Sequence, residues 1–166
     1  MELLPLLIFP SLLIIAAIYD LTTMTIPNWI SAVLLIAFVG LSLGMGAPLS
    51  MIGTGLGIGF GFLLLGMAFF ALGWLGGGDA KLIAATAVWF SGPEAVTFIV
   101  YVMLIGGVET LLLVSFRQVL LPAPFQSIPW VSRLHAAGGD LPYGVAIAAG
   151  GLVALSQAPL IGVMAG

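Results

Sequence analysis

Cysteine is absent from the 166 residues, histidine occurs once, and lysine and arginine together number 3. Without cysteine there is no disulfide framework, no thiolate metal site and no cysteine nucleophile. A single histidine argues against a zinc site, and no metal or other cofactor is expected. Three cations form no basic patch, which removes nucleic acid as an expected partner. Only 5% of the chain is charged, whereas 62% is hydrophobic and the mean hydropathy is +1.32. Apolar runs long enough to span a bilayer then make this an all-α, polytopic membrane protein of about six transmembrane helices, with lipid as its surroundings. The opening Met1-Glu2-Leu3-Leu4 lacks the positive region of a signal peptide, and the first apolar run ends in Tyr19-Asp20 rather than at small residues. An uncleaved first span is expected.

Taken in order, residues 3–19 read as a first span with Pro10 as a kink, ending at Asp20. A threonine-rich crossing closes at Ile26-Pro27-Asn28, where proline disfavours helix for Ile26 and Asn28 can cap the second span, residues 29–45. The third span, residues 51–75, carries Gly53, Gly57 and Gly61 beside Gly55 and Gly59, two small-residue rows suited to helix packing. The run Gly76-Gly77-Gly78 then predicts a flexible loop that presents Asp79. Residues 80–90 follow as a helix too short to cross unaided. The fifth span, residues 94–116, is expected to break at Gly106-Gly107 and holds Glu109. The connection over residues 117–140 contains Arg133, His135 and three prolines and reads as interfacial. Leu141-Pro142-Tyr143-Gly144 opens a last span running to about residue 163.

Charges at membrane depth are the informative residues, since placing one there costs roughly 2.5 to 3.5 kcal/mol. With alternating spans, Lys81, Arg117 and Arg133 fall on the side that carries Asp20 and Asp79. The positive-inside rule makes that side cytoplasmic and puts both termini outside. Two neighbouring carboxylates cannot both ionise cheaply, so the pair shares a proton. One carboxylate then draws a proton from water attacking a peptide carbonyl, and the other protonates the carbonyl oxygen. The pair titrates as a unit, so neither residue has an assigned role. Simpler duties are also open: Asp79 as an N-cap for the helix after it, and Lys81 as its ion-pair partner or a ligand of lipid phosphate.

Three blocks resemble the type IV prepilin peptidases, membrane aspartyl proteases with a Gly-x-Gly-Asp motif. These are Tyr19-Asp20 with Ile26-Pro27-Asn28, then Gly76-Gly77-Gly78-Asp79-Ala80-Lys81-Leu82, then Leu141-Pro142-Tyr143-Gly144-Val145-Ala146-Ile147. The resemblance implies that Asp20 and Asp79 are catalytic, with Gly76, Gly77, Gly78, Lys81, Pro27, Asn28, Pro142, Tyr143 and Gly144 in support. It implies an aspartic endopeptidase of the inner (plasma) membrane that removes the short, positively charged leader from pilin-like precursors at the cytoplasmic face. The precursor, and a pilus assembly machinery beyond it, are the implied partners. Residues 1–166 read as one peptidase domain, similar to the short form in tight-adherence (Flp-type) pilus systems. The long form's Cys-x-x-Cys insertion has no counterpart in this sequence, so no S-adenosylmethionine is expected. Where many members carry basic residues between the first aspartate and Ile-Pro-Asn, this chain has Thr22, Thr23, Met24 and Thr25. The competing reading is an ion- or proton-coupled transporter built on Asp20, Asp79 and Glu109. A presenilin-like protease would carry Pro-Ala-Leu where this chain has Ala158-Pro159-Leu160, and a noncatalytic assembly subunit would need no dyad.

Overall fold

The first apolar run folds as helix α1 (Leu4–Thr23), which continues through Pro10. The structure is a computed structural model describing residues 4–159, all of its regular elements there being helical. The helix extends one turn beyond the apolar run, and there Thr22 and Thr23 turn their hydroxyls back onto the carbonyls of Ile18 and Tyr19, at 2.6 and 2.7 Å. Asp20 is therefore inside the last turn rather than beyond the end. Met24 stops the helix at a φ of 55°, an unusual conformation for a side chain without a short polar group.

Helix α2 (Asn28–Gly44) has Pro27 at its N-cap and no side-chain cap, which corrects the capping role expected of Asn28. Helix α3 (Leu49–Ala71) precedes α4 (Gly77–Ala87), which begins within the glycine run. The expected loop is thus mostly helix: first-turn N–H groups have no helical partner anyway, and Gly76 at the N-cap has an ordinary φ of −67°. Helix α5 (Gly92–Gln118) runs without a break through Gly106 and Gly107, contrary to expectation. Gly106 instead makes room for Tyr143, whose ring would lie 3.0 Å from an added Cβ. Two short helices, α6 (Ala123–Gln126) and α7 (Pro129–His135), occupy the connection, and α8 (Tyr143–Ala154) ends in the 3-10 turn Leu155–Gln157.

Helices α1, α3 and α5 are long and apolar enough to cross a membrane, and Asn28–Gly44 and Tyr143–Gln157 are shorter apolar helices. At 1.5 Å per residue the 11 residues of α4 cover only about 16 Å. It is nonetheless well enclosed: α2, α3 and α8 pack on it, and every residue from Ala84 to Phe90 is buried. Beyond its end Trp89 lies 4.8 Å from Phe9 and 5.8 Å from Phe38, ring centre to ring centre, and Phe90 stacks on Phe98 at 5.4 Å. These rings fill the depth that a short helix leaves vacant. Helix α8 packs between α1 and α5.

The two glycine rows of α3 separate. Gly55 and Gly59 face Val88 and the Ala84 carbonyl, and Gly66 faces Ala80, whereas Gly53, Gly57 and Gly61 have nothing within 4 Å of an added Cβ. Only one of the expected packing rows packs, because α4 offers a partner on one side. The expectations for both termini, and for the end of the last span, fall on residues outside the described range.

Candidate active site

Three helix ends converge at one end of the bundle: the last turn of α1 and the first turns of α4 and α8. The wedge between them is Ile26. An added Cβ on Gly78 would stand 3.2 Å from the Ile26 Cβ, and one on Gly144 would stand 2.9 Å from its Cδ1. Glycine at both positions lets α4 and α8 close on Ile26, which Pro27 holds extended just before α2. The sequence reading singled out Pro27 and Asn28. Their neighbour Ile26, buried, does the packing, and the signal in the sequence was an apolar residue held between a polar crossing and a proline.

Asp20 is 6% exposed, and its Oδ2 accepts the backbone N–H of Gly144 at 2.6 Å. That N–H is among the unsatisfied donors of the α8 N-terminus, where the helix dipole also favours negative charge. Position in the last turn of α1 sets Asp20 against its own dipole, and the α8 terminus offsets this. Pro142 is the N-cap of α8 and Tyr143 its first residue, so the two place that donor.

Asp79 sits in the first turn of α4, yet it does not cap the helix, and its buried Oδ1 has no hydrogen-bond partner among the described residues. An added Cβ on Gly76 would lie 2.6 Å from Asp79 Oδ2. The glycine run therefore serves close approach to the carboxylate more than unusual dihedral angles. Burial first, and the charge of Asp20 second, push the Asp79 carboxyl up from its ordinary 3.8 to about 7, with the Gly76 amide acting in the opposite direction. Both aspartates line one cavity of about 540 Å³ together with Met24, Trp74, Asp140 and Tyr143.

Lys81 donates to Asn28 Oδ1 at 2.9 Å, tying α4 to α2, and this tie replaces the ion pair with Asp79 considered from the sequence. Arg133 donates to the Thr22 carbonyl at 3.1 Å, and Arg117 to the carbonyls of Leu134 and Asp140 at 2.8 and 2.9 Å. All three cationic side chains thus lie at the end of the bundle that carries Asp20 and Asp79. His135 is within 2.7 Å of the Val119 carbonyl and edge-on to Phe116, a tie within the connection. Glu109 lines a separate cavity of about 380 Å³ with Leu21, Pro142 and Val145. Among the described residues no cluster of three metal-ligating side chains occurs.

Two carboxylates on one cavity, Asp20 anchored by an N–H and Asp79 with one buried oxygen unpartnered among the described residues, are suited to sharing a proton and activating water. A family model described as the type IV leader peptidase family matches residues 7–111. The chain belongs to that family. Its members are membrane-embedded aspartic peptidases, hydrolases that act on pilin precursors. The matched segment of this leader peptidase holds Asp20, Asp79 and the Ile26 wedge and stops short of the α8 residues that anchor Asp20. The chain matches no curated protein and no solved structure.

Proposed function

We propose that this leader peptidase uses Asp20 and Asp79 as its catalytic pair to cut the leader from an Flp-like pilin precursor at the cytoplasmic face of the inner membrane. The observation that carries the reading is that Asp79, whose buried Oδ1 has no partner among the described residues, lines the same cavity as Asp20. In the resting pair one proton is shared. Asp20 Oδ2 already accepts the Gly144 N–H, so it is Asp79 that holds the proton at rest. Asp20 takes a proton from a water whose oxygen bonds to the scissile carbonyl carbon, while Asp79 gives its proton to the carbonyl oxygen. Collapse of the tetrahedral diol breaks the C–N bond: the amine leaves with the proton from Asp20, and a diol proton returns to Asp79. Hydrolysis balances with one water and no metal, and neither aspartate becomes covalently modified.

Lys81, through Asn28, and the glycines at 76–78 support Asp79; Pro142, Tyr143 and Gly144 support Asp20. Residues 1–166 act as one peptidase domain, without methyl transfer to the product. Both termini lie outside, since all three cations share the dyad's end of the bundle. A transporter reading draws on the same acids, but membership of an aspartic peptidase family favours hydrolysis.

The test is co-expression of a candidate precursor with wild type, Asp20→Asn and Asp79→Asn at matched membrane levels, with leader removal read by mass. Cleavage by wild type alone is expected. Cleavage by either asparagine variant at the wild-type rate removes that residue from the mechanism.

A further inference from the structure

The dyad's cavity holds a third carboxylate that hydrolysis does not use. Asp140 lies on the irregular stretch before α8 and lines the cavity with Asp20 and Asp79, and no lysine, arginine or histidine is among the described residues that line it. Its backbone is fixed, because Arg117 donates to its carbonyl oxygen at 2.9 Å and to that of Leu134 at 2.8 Å. Its side chain is exposed and forms no hydrogen bond or ion pair among the described residues. The same cation that could have neutralised the carboxylate is spent on main-chain oxygens. From the α3–α4 segment the cavity wall also includes Trp74, 74% exposed, an aromatic face of the kind that attracts a cation.

An acidic peptide approaching this wall meets like charges, whereas a basic side chain meets an exposed carboxylate on an anchored backbone. The occupant of a membrane peptidase's cavity has its own span nearby, and residues flanking spans on the cytoplasmic side are enriched in lysine and arginine. We infer that Asp140 is a specificity residue that pairs with a lysine or arginine of the substrate segment outside the membrane and so draws the scissile bond to the dyad. The inference rests on the peptidase reading and assigns Asp140 no part in the chemistry. It also supplies a recognition charge on the α7–α8 connection in a chain whose 22–25 crossing has only Thr22, Thr23, Met24 and Thr25.

The experiment uses the full chain in phosphatidylcholine vesicles and two synthetic substrates, each an apolar span preceded by a short segment with two lysines or two glutamates. Wild type is expected to prefer the lysine substrate. Asp140→Asn should lose about fivefold in kcat/KM on it, mostly through KM, as for one partly exposed ion pair. The same variant should lose nothing on the glutamate substrate, and Asp140→Lys should reverse the preference. High salt should shrink the difference between wild type and Asp140→Asn. Equal losses on both substrates, or no loss on either, overturn the inference. Binding of the lysine substrate to Asp79→Asn, with and without Asp140→Asn, separates recognition from cleavage. If wild type cuts neither substrate the peptidase reading fails, and unchanged binding on adding Asp140→Asn then overturns the recognition role as well.

Discussion

Asp20 and Asp79 are the same side chain in two settings. Asp20 is anchored by a helix N-terminus, whereas Asp79 Oδ1 is buried without a partner among the described residues. The second setting is a stability statement. With its pKa raised from 3.8 to about 7, folded Asp79 keeps a proton that the unfolded chain releases. Stability therefore falls as pH rises from about 4 to 7 and the effect levels off above that. Asp79→Asn lacks this slope, so its melting temperature in detergent should gain on wild type between pH 4.5 and 7.5; parallel curves would remove the burial argument. Gly144→Ala acts on the other carboxylate, because its Cβ would lie 2.8 Å from Asp20 Oδ2 and 2.9 Å from Ile26 Cδ1. A displacement near 1 Å costs on the order of 100-fold in rate. Precursor cleavage by Gly144→Ala should fall by about that factor while the helical circular dichroism stays unchanged.

Helix α4 carries the design of the bundle. A helix of 11 residues starts at the end of the bundle that carries Asp20, holds Asp79 in its first turn and ends in the interior, where Trp89 and Phe90 close the space under it. Its enclosure depends on α3 coming close along Gly55, Gly59 and Gly66. Alanine at Gly59 would put a methyl group 2.9 Å from the Ala84 carbonyl, and such overpacking costs about 1 to 3 kcal/mol. Alanine at Gly57 meets nothing within 4 Å and gains up to about 1 kcal/mol of helix propensity. Thermal unfolding in detergent should therefore lower the melting temperature for Gly59→Ala and leave it level or raised for Gly57→Ala. The reverse order would mean that α3 presents its other face to α4.

Over the whole molecule, the three cationic side chains and the site share one end, and the absence of cysteine makes sidedness measurable with single introduced thiols. Leu49, 76% exposed at the start of α3, belongs to the end away from the dyad, and the exposed Ala137 to the connection beside it. An impermeant maleimide applied to intact cells should label Leu49→Cys at once and Ala137→Cys only after permeabilisation. The opposite pattern would invert the proposed orientation.

Much of this was legible from residue types alone. Spans follow from apolar runs of sufficient length, and Asp20 and Asp79 stand out because a charge at membrane depth is costly enough to require a purpose. The prolines and glycines around them marked where helices start and stop to within a few residues. What the chain's own order could not show is which helix end faces which. The N–H of Gly144 reaches Asp20 across 124 residues, and Asp140 enters the same cavity through an Arg117 tie spanning 23. Gly106 leaves room for Tyr143 within an unbroken helix, and Gly57 differs from Gly59 only in what lies opposite. Sequence determined the membrane, the helices and the two acids, since each depends on local composition. Tertiary structure alone decided the anchored and the unpartnered carboxylate and the packing face of α3, because those depend on approach distances between segments far apart in the chain.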